Sequence, residues 1–230
     1  MIAALRTVIK RMHYRLEVML TCVRGYVSYP LSFRHLEEMM EERGVVLDHA
    51  TIHRWAIKIV PVLGAVFRRC KRPLGTSWRM DETYIKVRGQ WKYLYRAVDK
   101  EGKTIDFLLR AKRDKAAATR FFKKAMRQNG DPEKITMDKS GANKAAMDGI
   151  NQDRVVSIEV RQIKYLNNIV EQDHRAVKRI TKPMMGFKSF RAARNVLAGI
   201  ELMHMIRKGQ MITSENDERS FADQFYALAA

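Results

Sequence analysis

Only two cysteines occur in 230 residues, and Cys22 and Cys70 belong to no C-x-x-C pair. Neither a disulfide framework nor a thiolate zinc site is therefore expected, and reduced thiols in a cytosolic protein are the plain reading. No run approaches the ~18 apolar residues of a membrane span. The opening Met1-Ile-Ala-Ala-Leu-Arg-Thr-Val-Ile-Lys-Arg has a basic flank but lacks a signal peptide's order of charge, apolar core and small cleavage site. The chain is expected in the cytoplasm with no membrane partner. Internal repeats and low-complexity segments are also missing. Acid is the scarcer charge: 25 Asp and Glu stand against 44 Lys and Arg, a net charge of +19.

What is present is enough apolar residue, 46%, for a proper core. The basic residues are spread along the whole chain, and a folded protein of this charge is expected to bind a polyanion, of which nucleic acid is the usual one. Charge alone leaves DNA, RNA and an anionic membrane open.

The first third reads as helices. Leu16, Met19, Leu20, Val23 and Val27 have helical spacing, and Ser28-Tyr29-Pro30 ends that segment. Ser32 is a good N-cap for a helix from Arg34 to Arg43, which Gly44 stops. Asp48 caps the next helix, from His49 to about Val60, which Pro61 is expected to end or bend. Two short helices with a Gly-containing connection form a helix-turn-helix pattern. Ile52, Trp55, Ala56 and Ile59 face the core of the second, leaving Thr51, Arg54 and Lys58 as an exposed stripe that fits a major groove. A plain helical hairpin with a solvated basic face fits the pattern equally well.

After the basic connector Arg68 to Pro73 the period changes to that of strands. Trp78 to Val87 alternates, Trp91 to Val98 is rich in aromatic and β-branched residues, and Thr104 to Leu109 is a third strand; with turns at Arg88-Gly89 and Lys100-Glu-Gly they give an antiparallel meander. Asp114 caps a helix to about Gln128, Ile135-Thr-Met is a short strand ending at Asp138, and a helix runs to about Ile150. Val155 to Ile163 is read as a further strand, Ser189 to Lys208 as a last helix, and the tail from Thr213 as polar and uninformative. Strand, strand, strand, helix, strand, helix, strand, helix is the order of an α/β, ribonuclease H-like fold with a mixed five-stranded sheet and flanking helices, preceded by an all-α region. The expected division is 1–72 for the helix-turn-helix region, 73–210 for the catalytic domain and 211–230 for the tail.

Lys164 to Lys178 reads as a short lead-in followed by a helix. Glu171, Arg175 and Lys178 share its outward sector, and Ile169, Ala176, Val177 and Ile180 lie opposite, with Asp173 awkwardly near the apolar side. Taken alone this is an amphipathic surface helix with an i,i+4 ion pair. In the expected sheet, however, the first strand and the strand ending at Asp138 lie side by side, so Asp81 and Asp138 converge and Glu171 arrives from a later helix. Hard oxygen ligands of this kind suit Mg²⁺ or Mn²⁺. Two such ions about 4 Å apart serve in-line attack on a phosphodiester. Glu82 points to the other face of its strand and is the poorer candidate. Asp99, Asp106, Asp114 and Asp148 read as turn, surface or capping residues.

Trp78-Arg-Met-Asp81-Glu-Thr-Tyr-Ile-Lys-Val-Arg-Gly-Gln-Trp-Lys-Tyr-Leu-Tyr-Arg-Ala-Val-Asp99, Ile135-Thr-Met-Asp138-Lys, and Lys164-Tyr-Leu-Asn-Asn168 leading to Glu171 closely resemble DDE transposases of bacterial insertion sequences, best the insertion sequence six family. The resemblance extends through Gly186-Phe-Lys-Ser-Phe190 and upstream through Leu36-Glu-Glu-Met-Met40 and Thr51-Ile-His-Arg-Trp55. It implies that Asp81, Asp138 and Glu171 are the catalytic, metal-binding triad, and that Lys178 contacts DNA near the reacting phosphate. Lys139, Arg175 and Lys178 then join Thr51, Arg54 and Lys58 as expected DNA contacts. It further implies recognition of terminal inverted repeats, 3′-OH strand transfer into double-stranded target DNA, commonly by a replicative route, and assembly of at least a homodimer on paired ends. The departures are the first dozen residues, unlike the family's usual opening and consistent with a shifted start or a junction, and Gly25, where a bulky aromatic is usual.

A ribonuclease H-like nuclease or junction resolvase needs the same carboxylates without a site-reading helix-turn-helix. A DNA-binding remnant keeps the fold without the chemistry.

Overall fold

The computed structural model describes residues 2–213 and 218–230. Its backbone divides into two compact units, Pro73–Ala176 and the pair of segments Met1–Arg72 with Val177–Ala230.

The first of these is the sheet unit. β1 (Ser77–Val87), β2 (Gln90–Asp99) and β3 (Thr104–Arg110) form the antiparallel meander, and β4 (Lys134–Thr136) and β5 (Glu159–Arg161) add to it in parallel. The strand order is β3-β2-β1-β4-β5, so the first strand lies beside the one that ends near Asp138, as the ribonuclease H-like arrangement requires. β5 is shorter than the expected Val155–Ile163. The ladder can be no longer than the three-residue β4 that it pairs with, and Val155 and Val156 lie exposed ahead of it.

Alternation in β1 sorts its side chains by face. Trp78 and Met80 look toward the helix joining β3 to β4 and the helix joining β4 to β5, whose Phe121, Phe122 and Met147 complete one buried core. Fully burying a side chain of this kind contributes about 1.5–3 kcal/mol. Arg79, Asp81, Thr83 and Ile85 take the other face.

The second unit is helical. It holds α1 (Ala3–Ile9), α2 (Leu16–Ser28), α3 (Phe33–Glu41) and α4 (His49–Arg69); in the sheet unit follow α5 (Lys115–Asn129) and α6 (Gly141–Gln152). α7 (Asn168–Thr181) carries the boundary between the units, and α8 (Phe190–Arg207) and α9 (Phe221–Ala227) return to the helical one. Ser32, Asp48, Asp114 and Ser189 cap α3, α4, α5 and α8 through side-chain bonds to backbone N–H groups.

Pro61 neither ends nor breaks α4, which continues to Arg69. A proline removes the N–H that would bond the carbonyl four residues back. That carbonyl belongs to Ile57, and the Asn195 side-chain amide of α8 donates to it at 3.0 Å. The continuation makes α4 long and apolar enough to cross a membrane by length and composition, beyond what the sequence reading allowed. Its Ile52, Trp55, Ile59, Leu63 and Phe67 are buried, and the helix packs along α8 and α2.

Gly25 is the site of a close approach, since a Cβ there would meet Leu36 Cδ2 of α3 at 2.8 Å. The tail is also more ordered than its polarity suggests: Ser220 and Asp223 form a reciprocal cap, and α9 buries Phe225. Residues 214–217 of that tail lie outside the described residues.

Candidate active site

The parallel pairing of β1 with β4 ends at Arg79 opposite Thr136. Beyond it no strand stands beside β1 on that edge among the described residues, and the loop after β4 brings Asp138 into the gap. One carboxylate oxygen each from Asp81, Glu82 and Asp138 lies within 4.8 Å of the others. Glu82 does leave the strand on the face opposite Asp81, as alternation demands. Past the end of β4, though, the two faces are not separated by a neighbouring backbone, and both carboxylates reach the same opening. Glu82, set aside by the sequence reading, is therefore part of the cluster.

Asp138 is held on both oxygens. Its Oδ1 accepts from the Ser140 N–H at 3.1 Å and from Asn143 Nδ2 at 3.4 Å, and its Oδ2 accepts from Arg113 Nη2 at 2.9 Å. Arg113 also donates to Glu82 Oε2 at 3.2 Å, so one guanidinium screens the repulsion between two carboxylates. Burial pushes the Glu82 carboxyl above its ordinary value, Arg113 opposes this, and the charges of Asp138 and Asp81 add to the rise. Burial alone would lower Arg113; Glu82 and Asp138 beside it outweigh this and raise it.

Asp81 is held from the opposite side of the sheet. His174 of α7, itself buried, has Nε2 3.2 Å from Asp81 Oδ2 and Nδ1 3.3 Å from Arg96 Nη1. A guanidinium can only donate, so Nδ1 accepts and the ring proton sits on Nε2, from which it is donated to Asp81. Arg96 is the cross-strand partner of Asp81, is 0% exposed, and pairs with Asp173 Oδ2 at 2.8 Å. This accounts for the awkward place of Asp173 on the α7 wheel: the acid turns inward because a buried cation waits there. Asn167, in the lead-in turn Lys164–Asn167, donates to the Met80 carbonyl at 3.1 Å and so fastens the start of α7 to β1 beside Asp81.

Glu171 stands in the first turn of α7, exposed, three residues before His174, and is not one of the three clustered carboxylates. Arg54, Lys58, Lys139, Arg175 and Lys178 are exposed as expected. Thr51 is not: it is buried, its hydroxyl donates to the capping Asp48 at 2.8 Å and accepts from Arg54 at 2.6 Å. A first-turn threonine next to an N-cap aspartate is drawn into the cap and leaves the outward stripe. Asp99 and Asp148 have the turn and surface roles expected of them, whereas Asp106, expected as a turn, surface or capping residue, is buried within β3. Asp99 accepts from the backbone of the β2–β3 turn, Asp106 pairs with Lys124 at 2.6 Å, and Asp148 pairs with Lys144 at 2.7 Å.

Arg96, Arg113, Asn143 and His174 were missed by the sequence reading. One signal existed: Arg96 interrupts the otherwise apolar and aromatic run Tyr93-Leu-Tyr-Arg-Ala-Val98 of a central strand, where a charge is tolerated only with a partner.

The donor set suits a hard divalent cation: carboxylate oxygens only, close together, partly open to solvent and pinned from behind.

A family profile described as a DDE domain matches residues 75–210. The transposase for insertion sequence-like element IS431mec of Staphylococcus aureus is 38% identical over 194 residues, covering 84% of this chain and 85% of that protein. The transposase for insertion sequence element IS257 in transposon Tn4003, also from Staphylococcus aureus, matches with the same identity and coverage. Among solved structures, the HTLV-2 integrase catalytic core domain in complex with magnesium, in its trimeric form, aligns with TM-score 0.45 and 15% identity over 67% of this chain and 99% of that one.

Proposed function

Because this chain belongs to the DDE transposase family of bacterial insertion sequences, we propose that it binds the terminal inverted repeats of its element and performs metal-dependent strand cleavage and 3′-OH transfer at the Asp81–Asp138 cluster. The observation that carries this reading is the approach of the Asp81, Glu82 and Asp138 oxygens to within 4.8 Å of one another. Asp81, Asp138 and Glu171 are the triad, with Glu82 as the buried acid that retains Arg113. When bound, two Mg²⁺ or Mn²⁺ ions supply an activated water or 3′-hydroxyl and a stabilised leaving oxygen.

The protein's part is positioning. His174 Nε2–H occupies Asp81 Oδ2 and leaves Oδ1 for a ligand. The Ser140 N–H and Asn143 fix the rotamer of Asp138. Arg113 keeps two adjacent carboxylates compatible and brings a cation to the edge of the site, where a phosphate oxygen enters. Lys139, Arg175 and Lys178 contact DNA phosphates around the cluster. The region 1–72 reads the repeat, with α3 and α4 as its helix-turn-helix and Arg54 and Lys58 facing the groove; residues 73–210 are the catalytic domain. The protein acts as at least a dimer on paired ends, in the bacterial cytoplasm and on the nucleoid when bound.

The test is joining of a labelled terminal-repeat duplex to a plasmid in Mg²⁺ or Mn²⁺. Asp138→Asn and Glu171→Gln should each abolish joining while metal-free repeat binding survives, whereas Glu82→Gln should retain part of it. Loss in Glu82→Gln with Glu171→Gln active would transfer the third ligand to Glu82. Cleavage indifferent to the repeat would make the chain a nuclease, and repeat binding without joining by the wild type would make it a remnant.

A further inference from the structure

The face of β1 that carries Glu82 continues outward through Tyr84 and Lys86. The register sets Tyr84 against Tyr93, Lys86 against Trp91, and Tyr93 in turn against Arg110 of β3. Three rungs therefore follow one another on a single sheet face: the Glu82 rung, a Tyr-Tyr-Arg rung and a Lys-Trp rung. At a rise of ~3.4 Å per residue the second lies about 7 Å from Glu82 and the third about 14 Å.

Trp91 is 62% exposed and Tyr84 51% exposed, although the same sheet has a well-filled core beneath α5. The rings form one group, with the Tyr84 centroid 6.4 Å from that of Trp91 and 5.4 Å from that of Tyr93. Tyr93 packs partly against the core and anchors the group. Arg88 and Gly89, at φ 50 and 76, close the hairpin in the two-residue turn that matches strand twist, so the group stands on a stiff support. Exposed rings in one patch mark a binding surface.

We propose that this face is a stacking platform for unpaired DNA bases adjoining the strand that reacts at the carboxylates, an inference that rests on the function proposed above. Lys86 and Arg88 are exposed beside the rings, and Arg110 lies on the middle rung. A cationic margin around aromatic faces is the chemistry of single-strand binding, where rings take bases and cations track the backbone. An intact duplex offers neither free base faces nor room for rings, so the occupant is strand already opened. A second copy of the chain is disfavoured as occupant because it would set Lys86 and Arg88 against their own kind on a protein of net charge +19. The rungs begin two residues from Glu82, so the platform is continuous with the site and not a remote patch.

The experiment compares wild type, Tyr84→Ala/Trp91→Ala and the conservative Trp91→Phe, with circular dichroism as the fold check. Three probes are titrated in the absence of metal: blunt repeat duplex, the same duplex with an unpaired flap at its end, and the flap sequence as a free single strand. The double variant should lose about tenfold to a hundredfold in affinity for the flapped duplex and single strand, with blunt duplex unchanged and Trp91→Phe close to wild type. Equal loss on all three probes would overturn the platform in favour of general phosphate contact. No loss on any probe, with a changed sedimentation coefficient, would overturn it in favour of an interface between copies, and no loss with unchanged sedimentation would overturn it outright. Wild type that binds the flap through the rings but joins nothing in Mg²⁺ or Mn²⁺ would leave the platform standing and overturn the transposase function instead.

Discussion

The two units bury polar groups for different ends. In the sheet unit Arg96, Asp173 and His174 form an interior chain that terminates on Asp81, and Asn143 reaches Asp138 from the other side. In the helical unit the clearest buried polar contact is Asn195 on the Ile57 carbonyl, where it repairs the backbone that Pro61 interrupts. One interior aims charge at a carboxylate, and the other satisfies a carbonyl within an aliphatic core. Buried polarity by itself thus says little about function; the group at the end of the chain of contacts is what distinguishes a site from a scaffold.

The sharpest way to break the contrast is Arg96→Met. It leaves Asp173 buried without its cation, and loss of one partner of a buried pair costs about 3–5 kcal/mol. Urea unfolding should show this loss; an unchanged midpoint would mean that Asp173 finds water or another donor.

His174→Ala tests whether the interior chain serves the site. Removing a group that orients a metal ligand lowers metal affinity by about 10–100-fold, measurable by Mn²⁺ titration without DNA. His174→Gln places a donor near the Nε2 position and should recover much of it. Equal weakness of both variants would reduce His174 to packing.

On the helical side, Asn195→Leu strands the Ile57 carbonyl and should cost about 1–3 kcal/mol. Pro61→Ala restores an N–H to that carbonyl, so the double variant should be more stable than Asn195→Leu alone. Simple additivity would show that Asn195 acts through packing.

The smallest effect concerns His53, whose imidazole is held below its ordinary value by burial and by the charge of Lys188. A lowered folded-state value means that the unfolded chain takes up the proton first as pH falls. The neutral ring's contribution, present above the ordinary imidazole range, is lost on acidification through it, and His53→Gln should flatten the dependence of Tm on pH between about 7 and 5.

Most of the architecture was legible residue by residue. Ser32, Asp48, Asp114 and Ser189 announced helix starts and stand as caps, alternation marked β1, and aromatic and β-branched content between turn signals marked β2. The approach of Asp81 to Asp138 followed from element order combined with carboxylate placement, because β1 and β4 pair in parallel and the chain leaves β4 toward Asp138. The exposed face of α7 with Glu171, Arg175 and Lys178 was equally plain. Thr51 has the spacing of the outward stripe, but the Asp48 cap, which helix spacing does not encode, draws it inward. Alternation puts Glu82 on the face away from Asp81, a separation that holds along a ladder and loses its force where β4 stops.

What the sequence by itself determined are the features encoded within four residues along a helix or two along a strand: caps, turns, faces and the order of elements. What only the tertiary structure decided are pairings between distant segments, Arg96 with Asp173, His174 with Asp81, Asn195 with Ile57. Each joins a group that is costly to bury alone to a partner that makes burial tolerable. The neighbours of neither partner reveal the pairing, because the compensating group arrives only when the chain has folded.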